Sequence, residues 1–160
     1  MRIRIQLLYF FTTFLWGVSC TEETLDPFSN RILFLTNNDA KNWTTVSVES
    51  DDTIEGINCE EDDILTLTLF DYTLEDPGPS FSKADGLVRC DYTEPYVINS
   101  GSWRLNNAQT RIILTRIFSD GSRINDLVDI LELEERKMVL RFRDETDLKI
   151  TFTTYTYESL

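Results

Sequence analysis

The clearest signal in the chain is a two-residue alternation of apolar and polar positions. In Ile64-Leu65-Thr66-Leu67-Thr68-Leu69-Phe70, the residues Leu65, Leu67 and Leu69 share one side and threonines fill the gaps, as in a strand buried on one face. Met138, Leu140 and Phe142 repeat the pattern, and Leu148, Ile150 and Phe152 share one face of the next run. Lys137, Arg141, Arg143 and Lys149 fall on the opposite, solvated side. Further β-branched and aromatic runs at 44–48, 87–91, 102–105, 111–118 and 127–133 bring the expected strands to eight. Within 127–133, Asp129 is expected to point outward with Leu127 and Leu131, while Val128 and Ile130 point in.

The connections carry turn chemistry: Asp76-Pro77-Gly78-Pro79, Asn99-Ser100-Gly101, Asn106-Asn107, Ser119-Asp120-Gly121-Ser122 and Asp144-Glu145-Thr146-Asp147. Links this short join antiparallel neighbours, because a parallel pair needs a long crossover. The pattern therefore predicts an all-β, eight-stranded, up-and-down antiparallel meander that closes into a barrel or splits into a sandwich; closure removes the exposed edges. Ahead of it, Phe28, Ile32 and Leu35 recur at helical spacing and stop at Asn37-Asn38, which predicts one short N-terminal helix.

Residues 1–19 fit an export signal. Arg2 and Arg4 are followed by an apolar run from Leu7 to Trp16, with Thr12 and Thr13 its polar members, and then by Gly17-Val18-Ser19. The run is about half the roughly 20 residues that a spanning helix needs. Cys20 follows at once, where lipoprotein precursors carry the cysteine that is acylated and becomes the new N-terminus. Val18 and Ser19 suit that signal, whereas Gly17 stands where an aliphatic residue is usual. Lipidation of Cys20 is the expected outcome, and an ordinary signal-peptidase cut that leaves it unmodified is the alternative. Residues 20–27 then form a polar tether and 28–160 the barrel domain.

Three cysteines make an odd count in an exported chain, and acylation of Cys20 leaves Cys59 and Cys90 as one pair. Closing that loop of about 30 residues would stabilise the fold by about 3–4 kcal/mol on the loop-entropy model. If Cys59 and Cys90 flank the open end of a hairpin formed by 63–70 and 82–90, Leu65 is expected opposite Ala84 and Leu67 opposite Ser82.

Composition narrows the function. The chain has 15 basic and 28 acidic residues, so without residues 1–19 it carries 13 basic against 28 acidic residues, net −15. Such a surface repels phosphate backbones, and nucleic acid is not an expected partner. There is no histidine, which removes the commonest general base and the imidazole metal ligands. The acidic residues cluster in turns, no phosphate loop or nucleotide fingerprint is present, and neither catalysis nor a cofactor nor a metal is expected. Glu60-Glu61-Asp62-Asp63 could in principle hold calcium, but it lacks the ligand spacing of a calcium loop.

Several landmarks stand in a fixed order: Lys41-Asn42-Trp43 at the first strand, Cys59-Glu60-Glu61-Asp62-Asp63 leading into Ile64-Leu65-Thr66-Leu67, Gly86 before Cys90, Gly101-Ser102-Trp103, and an apolar C-terminal meander. Over nearly all of the chain after Cys20 this resembles the lipocalin-like lipoproteins of Bacteroidetes, which share a Lys-x-Trp, a Cys followed by Asp-Asp, a second Cys and a Gly-x-Trp. The resemblance implies a lipocalin-like eight-stranded barrel and a lipid anchor at the outer membrane. Thr21-Glu22-Glu23 resembles the acidic surface-export signal of such lipoproteins. Trp43 would then plug the closed end of the barrel.

An eight-stranded barrel either fills with side chains or holds one small ligand. The expected function is accordingly the binding of a small apolar or amphipathic ligand at the cell envelope. Candidate inward residues are Leu65, Leu67, Leu69, Trp103, Leu105, Met138, Leu140, Phe142, Ile150 and Phe152. The alternative is a filled barrel whose acidic loops, or the segment Tyr92 to Tyr96, meet a surface protein partner.

Overall fold

A computed structural model describes residues 27–52, 59–72, 78–88, 97–118, 120–145 and 149–159. Cys20, Cys90 and the segment 92–96 lie outside them.

Among the described residues, one helix, α1 (Pro27–Thr36), precedes eight strands: β1 (Ala40–Ser50), β2 (Ile64–Asp71), β3 (Gly78–Ala84), β4 (Val97–Leu105), β5 (Arg111–Ile117), β6 (Arg123–Leu133), β7 (Lys137–Glu145) and β8 (Ile150–Glu158). Each strand pairs antiparallel with the next, and β1 pairs with β8, so the sheet is a closed up-and-down barrel. The order follows from the turns. At 106–110, the Asn106 Oδ1 accepts from the Thr110 and Arg111 N–H groups at 2.9 and 3.0 Å. At 118–122, Gly121 takes a φ of 82° and the Ser122 N–H bonds the Asp120 Oδ1 at 2.8 Å.

The helix closes one end. It stops where the alternation of apolar residues stops, because Asn37 and Asn38 adopt φ of 52° and 65°, a left-handed exit that asparagine tolerates. A helix ends with carbonyls lacking intrahelical partners, and here the Lys-x-Trp pair supplies them. The Trp43 Nε1–H donates to the Leu35 carbonyl at 3.0 Å and the Lys41 Nζ to the Phe34 carbonyl at 3.0 Å. Lys41 also lies 4.0 Å from the Trp43 ring centre and reaches the Glu135 carbonyl in the β6–β7 turn. Burial lowers the Lys41 pKa, opposed by the negative charge of Glu135. Leu35 and Trp43 are fully buried and join Leu67, Trp103, Ile112, Val128, Met138, Leu140 and Tyr157 in one core. Packing of this kind fills the helix-capped half of the barrel.

Four expectations are corrected. The third strand is Gly78–Ala84; Phe81 is its one large apolar residue and enters the core, whereas of the expected run 87–91, Leu87 and Val88 are exposed after this strand has ended and 89–91 lie outside the described residues. Pro77-Gly78-Pro79 masked this strand, since Gly78 and Pro79 read as turn residues yet open it. The β2–β3 register is one residue away from the expected one: Leu65 faces Lys83 and Leu67 faces Phe81, while Ala84 lies opposite Ile64. A one-residue slip exchanges the faces of a strand, and burying Phe81 selects the observed register. Gly101 is not in a turn but inside β4, paired with Phe81 and Arg116; a Cβ there would lie 2.0 Å from the Thr115 carbonyl oxygen, so the close approach of β5 requires glycine.

The fourth correction concerns β8. Its inner face carries Thr153, Tyr155 and Tyr157, so Ile150 and Phe152 point outward. Ile150 is 46% exposed, and Phe152 lies under the Arg141 guanidinium at 5.0 Å on the outer wall. An apolar alternation, Ile150 and Phe152, competes with an aromatic one, Tyr155 and Tyr157, and the larger rings take the interior. Asp129 points outward as expected, between Arg111 at 2.6 Å and Arg141 at 2.8 Å. Those hydrogen bonds, Arg141 foremost, hold its pKa below the ordinary carboxylate value.

Candidate ligand-binding site at the open end

At the end opposite α1 the side chains that point into the barrel change character. Along β5 the inner series runs Ile112, Leu114, Arg116; along β6 it runs Val128, Asp126; along β3 it runs Phe81, Lys83. Each of these three strands carries an apolar residue near the closed end and a charged one near the mouth. The result is a cavity of about 370 Å³. Leu65, Phe81, Leu114, Phe142, Tyr155 and Tyr157 form its apolar and aromatic wall. Lys83, Asn99, Arg116, Asp126, Arg143, Asp144 and Thr153 form its polar rim. The Phe142 and Tyr155 rings meet edge to face at 5.2 Å, and Tyr155 stacks on Tyr157 at 6.0 Å. A larger hollow of about 490 Å³ near Lys41, Arg136 and Ser159 has Ala40 and Ile64 as its apolar lining residues and no aromatic ring in its wall.

The rim is organised by ion pairs. Arg116 Nε lies 2.8 Å from Asp126 Oδ2. Lys83 Nζ lies 2.9 Å from Glu60 and 3.2 Å from Asp63, and 5.1 Å from the centre of the Tyr155 ring. The Tyr155 hydroxyl donates to the same Glu60 oxygen at 2.7 Å. Burial raises the pKa of Tyr155, reinforced by its hydrogen bond to Glu60, and burial likewise raises that of Tyr157; both phenols stay neutral throughout the physiological range. Asp63 is almost fully buried, and burial raises its pKa against the opposing pull of Lys83.

The acidic run Glu60 to Asp63 thus acts as a clamp on the mouth. Asp62 Oδ2 accepts from the Leu87 and Val88 N–H groups at 2.8 and 3.2 Å, and Asp63 Oδ1 accepts from the Gly86 N–H at 3.3 Å. Gly86 is needed because a Cβ would lie 2.1 Å from Asp62 Oδ1 and 2.3 Å from the Asp62 carbonyl oxygen. Among the described residues no group of three or more cysteine, aspartate or glutamate side chains is placed to hold a metal ion.

Of the ten candidate ligand residues, Leu65 and Phe142 line the cavity. Leu67, Trp103, Met138 and Leu140 are buried core of the helix-capped half, and Leu105 packs against that core. The Trp103 Nε1–H is satisfied by the Thr68 carbonyl at 3.0 Å. Leu69 is half-buried on β2, and Ile150 and Phe152 lie outside the barrel as described. The residues the alternation did not single out are Phe81, Leu114, Tyr155 and Tyr157 on the wall and the charged rim. The signal for the rim was present: Lys83, Arg116, Asp126 and Asp144 all sit on inner-face positions near strand ends.

No protein-family model matches the chain, and no curated protein or solved structure matches it.

Proposed function

We propose that this chain is an exported, lipid-anchored, non-catalytic protein that holds a small amphipathic ligand in the open end of its barrel. The observation that carries the proposal is the cavity of about 370 Å³ with an apolar, aromatic wall and a polar rim. Small-molecule sites are concave, mostly apolar and oriented by a few convergent polar groups, with volumes of roughly 300–1,000 Å³. The resemblance to lipocalin-like lipoproteins, and acylation of Cys20 after removal of residues 1–19, supply the setting: the outer membrane, at the cell surface. A bridge from Cys59 to Cys90 would tie the 59–62 turn to the chain beyond β3. Because α1 follows the tether and caps the closed end, an anchor at Cys20 would hold the mouth away from the bilayer.

The test is a titration of the acylated or soluble protein with N-phenyl-1-naphthylamine, an uncharged fluorescent amphiphile. Saturable single-site binding is expected. Thr153→Trp, which places an indole in the mouth, should weaken that binding by about tenfold or more, equivalent to about 1.4 kcal/mol. No binding, or binding indifferent to Thr153→Trp, overturns the reading.

A second reading, an interaction module for a surface protein, draws on one observation: Ile117, Phe118 and Ile124 are exposed around the β5–β6 turn beside the mouth. Cross-linking at Phe118 in intact cells distinguishes it. A single protein adduct favours the module, and its absence together with a bound small molecule favours the ligand reading.

A further inference from the structure

The charges at the mouth are unequally committed. Every cation that lines the cavity has its own carboxylate: Lys83 lies 2.9 Å from Glu60 and 3.2 Å from Asp63, Arg116 lies 2.8 Å from Asp126, and Arg143 lies 2.8 Å from Glu145. Among the carboxylates that line it, Asp126 is taken by Arg116. The side chain of Asp144 has no hydrogen bond or ion pair among the described residues. Asp144 sits near the end of β7, opposite Thr151 and two residues beyond Phe142. The cavity lining itself holds three cations, Lys83, Arg116 and Arg143, and two carboxylates, Asp126 and Asp144; the ion-pair partners beside it, Glu60, Asp63 and Glu145, bring the carboxylates to five. An anionic ligand would have to break an ion pair to gain a partner, whereas a cationic one meets an uncommitted carboxylate.

The wall supports the same sign. The faces of Phe142 and Tyr155 carry the negative side of an aromatic quadrupole and attract an ammonium group. Lys83 holds that position at Tyr155, 5.1 Å from the ring centre, so the ring left to a ligand's ammonium group is that of Phe142. The net charge of the chain, −13, adds a long-range field that draws cations toward a low-dielectric cleft and repels anions.

Resting on the ligand reading above, we propose that the mouth selects cationic amphiphiles over anionic ones, with Asp144 as the carboxylate that pairs with the ligand's ammonium group. The ligand class is a primary or substituted amine carried on a compact apolar or aromatic body.

The experiment is calorimetric titration with three probes that share an indole ring: tryptamine, tryptophol and indole-3-propionate. Tryptamine should bind tightest and indole-3-propionate weakest. Asp144→Asn should weaken tryptamine by about fivefold, the scale of one partly exposed charge pair, and leave tryptophol unchanged. Asp144→Glu should restore most of the loss. Asp144 is exposed, so both variants are expected to fold, and unchanged urea midpoints check this.

Indole-3-propionate binding as tightly as tryptamine overturns the inference, as does a tryptamine affinity indifferent to Asp144→Asn. Equal binding of all three probes overturns charge selection while leaving the cavity reading intact. No binding by tryptamine also overturns the inference; it takes the cavity reading with it only when N-phenyl-1-naphthylamine is silent too.

Discussion

The two ends of the barrel are built on the same strands by opposite rules. At the helix-capped end, the indoles of Trp43 and Trp103 are buried and donate to backbone carbonyls, and apolar side chains fill the interior. At the mouth, the same inward positions carry Lys83, Arg116, Asp126 and Asp144, and the side chains surround a cavity of about 370 Å³. Inward charge keeps a mouth open because a buried ion needs partners and solvent that an apolar core cannot give. One half therefore stores stability, and the other, with charge on its inward positions, gives some of it up.

Substitutions should separate the halves. The largest effect is expected for Trp43→Ala, which removes the plug and leaves the Leu35 carbonyl without its donor; urea unfolding should show a loss of about 3–5 kcal/mol. Gly101→Ala should follow, at about 2–3 kcal/mol, because the new methyl meets the Thr115 carbonyl at 2.0 Å and one of two packed strands must shift. Gly86→Ala should cost about 1–3 kcal/mol by displacing the Asp62 clamp from the Leu87 and Val88 N–H groups. It should also weaken N-phenyl-1-naphthylamine binding, because the clamp holds Lys83 and the mouth. Asp144→Asn should change stability by less than about 0.5 kcal/mol. Were Trp43→Ala and Asp144→Asn to cost the same, the division of labour between the two ends would be wrong.

Acid sharpens the contrast further. Asp129, on the outer wall, has a folded pKa below its unfolded value. Its contribution is present above the ordinary carboxylate value and lost as pH falls through the lowered one. Asp63, beside the mouth, has a folded pKa above its unfolded value. Its contribution is present below the ordinary value and lost as pH rises through the raised one. Urea midpoints measured from about pH 3 to about pH 7 should show Asp129→Asn reducing the acid sensitivity of the fold. Over the same range Asp63→Asn should increase it.

The meander, the helix and its stop at Asn37-Asn38, and the outward Asp129 were all legible from period and turn chemistry, because those signals are local. The expectation that Trp43 plugs the closed end came from the resemblance to lipocalin-like barrels and not from the local pattern. The third strand was not, since its identity rests on Phe81 alone and its opening residues, Gly78 and Pro79, imitate a turn. The inner face of β8 was not either, because Ile150-Phe152 and Tyr155-Tyr157 alternate in opposite phase, and choosing between them depends on what the other seven strands leave unfilled. For the candidate site, Leu65 and Phe142 were named and the rest of the wall was missed. A search for large apolar residues finds the packed half, and a mouth announces itself through charged residues on inward positions.

The seam between β1 and β8, where Thr44 meets Glu158 and Ser50 meets Thr153, has a kinetic consequence. It joins the two ends of the described chain, so the ring cannot form until the last strand exists, and the loop entropy of that step is not offset by any local contact. A nascent chain lacking β8 would offer two raw strand margins to whatever lies nearby. Folding should therefore be slow for a protein of this size, with its rate set by the final zip.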